Sequence, residues 1–218
     1  MINAIVLSQK GKAVESQESK IPGRKRFAAR LEPYLLKNEL ENVMTAYVFA
    51  KYGHQEQKRD NGIRYFEHPR AVADIIIDEL KIRNSWELVV TALLHDIVED
   101  SYILTEKRIE INFGREVALW VKFLTKKPKD GYHERLKTDA PWQVLLVKLC
   151  DRLDNLRTLS NCTPEKQRKQ ILETEAQYIP LADLLIEKIP SEYKERAVYL
   201  KEKIQELCAS YRAQLGIS

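Results

Sequence analysis

Four ionisable residues crowd into six positions of this chain: His95, Asp96, Glu99 and Asp100, directly after the apolar pair Leu93-Leu94. Asp96 and Asp100 are four apart, as are His95 and Glu99, so on a helix each pair shares a face. Close carboxylates repel one another and raise each other's pKa unless a cation lies between them. A helix C-terminus that happens to be charged is the competing reading. It is the weaker one, because acidic groups there oppose the helix dipole, and a metal ion removes that conflict.

A second anomaly lies downstream. The run VLLVKLCDRLDNL (144–156) sets Asp151 within an apolar stretch, with Asn155 one turn on. A buried carboxylate needs a partner or a metal. A salt bridge to Lys148 or Arg152 would also serve, and from this helix alone it is the better reading. His68, just before Pro69, stands at a predicted helix start, where a side chain can project into a cleft. Alone it reads as a capping or surface histidine. Together, His68, His95, Asp96 and Asp151 make a two-histidine, two-carboxylate set. Mixed imidazole and oxygen ligands suit Mn²⁺, Fe²⁺ or Zn²⁺ with a position open for water.

The elements that must position these groups are long. Glycine and proline number 7 and 8 in 218 residues, well below their usual combined share of roughly 12%. Helical spacing of apolar residues runs over 39–53 and 69–80. Asn84 and Glu87 have capping-box spacing and open a nearly all-apolar helix over 85–99. Thr105 caps a helix ending at Gly114, and another follows to Leu124. Pro141 opens a long helix through Leu159, Thr163-Pro164 starts the next, and an amphipathic helix spans 191–215. Residues 54–67 and 126–140 read as loops, the second Lys-rich and mobile. Nothing alternates with period two for long. The expectation is all-α: a flexible leader over 1–25 and one helical domain over 26–218, without internal repeats.

The net charge of +4 permits an anionic ligand without demanding nucleic acid. Part of it lies in Arg24, Lys25, Arg26 and Arg30, read as a solvated leader rather than a nucleic-acid arm. His133 and the Lys126, Lys127, Lys129 cluster read as solvated, although such a cluster could also screen a phosphate-rich ligand. Cys150, Cys162 and Cys208 form no CxxC pair, which points away from a disulfide framework and toward a reducing cytoplasm. No apolar run has the length of a membrane span.

The ordered pattern His…His-Asp…Asp is that of the HD phosphohydrolases. The segments HQEQKRDNGIRYFEHP (54–69), ALLHDIVED (92–100), FGREV (113–117) and VLLVKLCDRLDNLRTL (144–159) resemble more closely the hydrolase domain of the Rel/Spo alarmone enzymes. The resemblance implies a single HD-domain helical bundle that removes pyrophosphate from the 3′ position of (p)ppGpp. It implies one Mn²⁺, or another divalent ion, held by His68, His95, Asp96 and Asp151. Glu99 and Asp100 would stand at the catalytic water. Arg59 would meet guanine or a phosphate, Asn155 the nucleoside, and Thr158 is a further substrate-side candidate. His54 matches a histidine near the site but is not counted as a ligand.

Three positions depart from the family pattern: Asp60 replaces a lysine, Arg64 a proline and Asp154 a histidine. They leave the metal set intact and bear on substrate preference. Bifunctional members carry a synthetase domain after the hydrolase, and an end at Ser218 predicts a stand-alone small alarmone hydrolase. A related phosphatase acting on a nucleotide such as NADPH is one alternative. A regulatory module that binds a nucleotide without turnover is another. The expected partner is ppGpp or pppGpp, with no membrane and no nucleic acid.

Overall fold

A computed structural model describes residues 23–60, 62–100 and 104–217. The helices are α1 (Gly23–Ala29), α2 (Lys37–Gly53), α3 (Glu67–Asp74), α4 (Trp86–Leu94), α5 (Ile97–Asp100) and α6 (Glu106–Leu124). They continue as α7 (Tyr132–Thr138), α8 (Trp142–Arg157), α9 (Pro164–Glu173), α10 (Ile179–Lys188) and α11 (Lys194–Leu215). π-helical turns over Ile75–Glu79 and Thr174–Tyr178 extend α3 and join α9 to α10. The fold is all-α, as expected. Among the described residues the one β feature is an isolated bridge between Lys58 and Arg64.

α4 is the axis of the bundle. Leu88 to Leu94 are all buried, so this helix must be wrapped on every side. It packs against α2, α3, α6 and α8. α8 forms a second buried rod, covered by α3, α6, α10 and α11. Local chemistry sets several helix starts. Thr105 Oγ1 accepts from the Arg108 amide, and Thr163 Oγ1 from the Lys166 amide with Pro164 next in line. Gly114, at φ 88°, kinks α6 where a helix end was expected.

Several boundaries differ from the sequence expectation. Residues 1–22 of the expected leader lie outside the described residues. Residues 23–25 instead open α1, which docks through buried Phe27 against Tyr47, with ring centroids 5.2 Å apart. Arg30 ties this segment to α3 through Asp74 at 2.6 Å and through Asp78. The expected loop over 126–140 contains α7, because Tyr132 and Leu136 bury into the core; His133 is half-buried there, 3.7 Å from Glu173. Ser85, not Asn84, caps α4. Pro69 lies inside α3, which begins at Glu67, so His68 is in its first turn.

The difference that matters most is at the site. The predicted helix over 85–99 is broken at His95-Asp96, between α4 and α5. His95 and Asp96 therefore form the turn between the two helices, where the Glu99 amide donates to the Asp96 carbonyl at 3.1 Å. The corner is backed closely by the end of α2: a Cβ on Gly53 would collide with Ile97 Cδ1.

Candidate metal centre

Three separate segments bring the histidines and carboxylates together: the first turn of α3, the α4–α5 corner and the middle of α8. His68 Nε2 lies 3.1 Å from Asp151 Oδ1 and 3.7 Å from Asp96 Oδ2. His95 Nε2 lies 3.1 Å from Asp96 Oδ2 and 3.8 Å from Asp151 Oδ1. Bonds of about 2.1 Å to a first-row ion set adjacent ligand atoms roughly 3.0–3.5 Å apart. One ligand atom each from His68, His95 and Asp151 falls within 4.8 Å of the others. The donor set fits a divalent ion.

Both imidazoles are turned for that task. His95 Nδ1 bonds the Ala92 carbonyl at 2.8 Å, and His68 Nδ1 bonds Asp154 Oδ2 at 2.6 Å. A proton on each Nδ1 leaves the Nε2 lone pair for a metal. His95 Nε2 is buried and has no hydrogen-bond partner among the described residues. Burial alone would disfavour charged rings, but Asp96 and Asp151 outweigh it and carry His95 up to about 10. His68 is likewise buried, yet raised by Asp151 and Asp154. Burial pushes the Asp151 carboxyl up; Lys148 and the two rings reverse that and hold it well below the usual range. Protons on the rings and a divalent ion are alternative ways of neutralising the same carboxylates.

A surrounding layer holds the ligands still. Lys148 Nζ donates to Asp151 Oδ2 at 2.8 Å, and Asn155 Nδ2 donates to Oδ1 at 2.6 Å. The salt bridge weighed against a metal therefore exists, and it occupies the oxygen that faces away from the histidines. Arg152 instead bonds Glu173 and Gln170 and stacks 3.6 Å from the centre of the Tyr178 ring. Tyr65 Oη donates to Asp96 Oδ2 at 2.7 Å. Buried His54 bonds Gln57 and lies 4.8 Å from the Tyr65 ring, supporting it rather than joining the ligand set.

Arg59 is presented by a small hairpin. Its amide donates to the Ile63 carbonyl, the bridge at Lys58 and Arg64 closes it, and Gly62 turns it at φ 79°. The guanidinium bonds Asp154 at 2.8 Å and Asn155 Oδ1 at 2.6 Å. Asp154 thus links Arg59 to His68, a role its status as a departure from the family pattern did not disclose. Asp154→Ala is expected to weaken metal binding by about ten- to a hundred-fold, and Asp154→Asn, which keeps a neutral acceptor, by less. Equilibrium dialysis of both variants measures this; equal affinity in wild type and the alanine variant would remove Asp154 from the ligand-orienting layer.

His68, Asp96 and Asp151 line a cleft of about 660 Å³, and His95 lies buried behind them. Glu99 faces it, with its carboxylate accepting from the Lys126 amide. Asp100 closes α5, but its side chain lies outside what is described. Lys126, Lys129, Lys166 and Lys169 supply a cationic wall. The first two belong to the cluster read as solvated. The α9 pair was missed, although Lys166, Lys169, Gln170 and Glu173 recur at helical spacing. Asp60 turns to that wall, pairing with Lys166 at 2.5 Å. Thr158 lines the cleft while its hydroxyl bonds the Asp154 and Asn155 carbonyls.

An all-helical bundle that converges two histidines and two aspartates in this order defines an HD-type domain, and the chain belongs to the HD domain family, which matches residues 46–185. Among its relatives is the bifunctional (p)ppGpp synthase/hydrolase SpoT of Escherichia coli K12, 34% identical over 178 residues. That alignment covers 76% of this chain and 25% of the relative. The guanosine-3′,5′-bis(diphosphate) 3′-pyrophosphohydrolase of Aquifex aeolicus is 40% identical over 154 residues, covering 66% of this chain and 22% of that protein. The chain thus spans about a quarter of the length of these curated relatives. A solved structure, described as a metazoan ortholog of SpoT that hydrolyzes ppGpp and plays a role in starvation responses, superposes with a TM-score of 0.63 at 24% identity. It covers 81% of this chain and 97% of that one, and shows the same fold. No helix among the described residues is long and apolar enough to cross a membrane.

Proposed function

We propose that this protein is a Mn²⁺-dependent 3′-pyrophosphohydrolase of ppGpp and pppGpp, acting in the cytoplasm. The observation that carries this reading is the four-group donor set beside a cleft walled by lysines. The relatives' activities agree with it. His68, His95, Asp96 and Asp151 would hold one ion. When bound, such an ion supplies Lewis acidity, making water a usable nucleophile near neutral pH and offsetting charge at phosphorus.

The chain's own groups do the rest. Glu99 orients the attacking water and accepts its proton, with Asp100 as a second carboxylate on the same short helix. Water attacks the phosphorus bonded to the ribose 3′ oxygen. The P–O bond to that oxygen breaks, the oxygen takes up a proton, and pyrophosphate leaves with GDP or GTP as co-product. Lys126, Lys129, Lys166 and Lys169 meet the phosphates electrostatically. Arg59 and Asn155, already tied to Asp154 and Asp151, couple nucleoside contact to the metal-holding layer, and Thr158 borders the same wall.

Incubation with Mn²⁺ and ppGpp, pppGpp or NADPH, with products separated, tests the assignment. Pyrophosphate from the first two and no product from NADPH is expected. Turnover of NADPH alone would shift the substrate class, and no turnover of any would favour a nucleotide-binding module. Glu99→Gln should retain its metal while turnover falls by about a hundred-fold or more. Loss of the metal in that variant would make Glu99 a ligand instead.

A further inference from the structure

Two sequence features have no part in the hydrolytic site: the basic run at Arg24 to Arg26, and Arg64 in place of a proline. The fold brings them to one place. A second cleft, of about 580 Å³, opens between α1, the C-terminal half of α2 and residues 64–70. Arg24, Arg26, Lys51, Arg64 and Arg70 line it, and among the described residues Glu67 is its single acid. Arg24, Lys51, Arg64 and Arg70 set like charges around one concavity, and a polyanion offsets their mutual repulsion.

The arrangement is ordered rather than a loose basic surface. Glu67 holds Arg64 and Arg70 at 2.7 Å each, one on either carboxylate oxygen. Two guanidinium groups are thereby fixed with donors to spare, the fork geometry that matches phosphate oxygens. Arg24 and Lys51 are exposed. Tyr52, 65% exposed, stands among them with its ring unburied. An aromatic face beside cationic groups is a platform for a nucleobase. No residue lining this cleft also lines the metal-site cleft. The two are nevertheless neighbours in sequence, since Arg64 precedes Tyr65, which holds Asp96, and Glu67 precedes His68.

The geometry points to a second, metal-independent binding site, for a nucleoside polyphosphate, in which the arginines and Lys51 take the phosphates and Tyr52 the base. It stands independently of the hydrolytic reading.

The test is a titration of the full chain, in the presence of chelator, with GTP and separately with inorganic pyrophosphate. The exposed double variant Arg24→Glu/Lys51→Glu should weaken both ligands about ten-fold or more at one class of sites. Lys126→Glu/Lys169→Glu, on the metal-site cleft, should leave that class intact. Tyr52→Ala should weaken GTP about ten-fold and spare pyrophosphate. Unchanged binding of both ligands in the first double variant, or complete loss of binding in the second, would overturn the site. Unchanged GTP affinity in Tyr52→Ala would overturn the nucleotide assignment. Should the first double variant lose its helical circular-dichroism signal, Arg64→Gln is read in its place against the same criteria.

Discussion

Asp96→Ala should lose its metal and its turnover together. Asp96 Oδ2 is the oxygen nearest His95 Nε2, at 3.1 Å, and it also lies 3.7 Å from His68 Nε2. Its removal leaves two imidazoles and one carboxylate to hold a divalent ion. Loss of an orienting group outside the ligand set typically costs about ten- to a hundred-fold in affinity, so loss of a ligand should exceed a hundred-fold. The fold should survive. Asp96 helps to hold the His95 proton, and without it that buried ring can revert toward its neutral form. Metal content after dialysis and hydrolysis of ppGpp are the two readouts. Tyr65→Phe is the control: it removes only the 2.7 Å hydrogen bond to Asp96, and should reduce affinity by less. Full activity in Asp96→Ala would sink the ligand assignment.

Lys148→Met is expected to be the most destabilising single change near the site. The Lys148 and Asp151 side chains are only 2% and 7% exposed, and their charges are 2.8 Å apart. Asp151 raises the Lys148 pKa well above its ordinary value despite burial, which opposes the charge. The ammonium also lies 5.7 Å and 5.9 Å from the Tyr132 and Tyr178 ring centres. Removing one partner of a buried pair strands the other charge, at a cost of about 3–5 kcal/mol. Denaturant melts in chelator measure the loss. Two comparisons separate charge from packing. Mn²⁺ should restore part of the stability by neutralising Asp151, and Lys148→Met/Asp151→Asn should be less destabilised than Lys148→Met. A double variant as unstable as the sum of the singles would assign the loss to packing.

The candidate metal set was legible because its two aspartates break a strong local rule. Asp96 and Asp151 follow or interrupt apolar runs, where a carboxylate is costly, so each draws attention without any knowledge of the fold. The long helices were legible from scarce breakers and apolar spacing. The break at His95-Asp96 was not, because neither glycine nor proline marks it. α7 was hidden for a related reason: the lysines around it dominate the local composition, while its anchors Tyr132 and Leu136 are few. Asp154, Tyr65 and the α9 lysines acquire their roles only through partners far away in the chain. No local pattern carries such pairings.

That dispersal bears on how the protein folds. His68, the His95-Asp96 corner and Asp151 come from three segments that meet only when α3, α4 and α8 have packed. No short stretch of the unfolded chain can present the full donor set, so ion capture follows assembly of the bundle rather than nucleating it. An ion held there would act by mass action on the native population, and stability would rise with the free metal concentration M as RT ln(1 + M/Kd). On the proposed metal assignment, metal supply would in this way govern how long the folded chain persists.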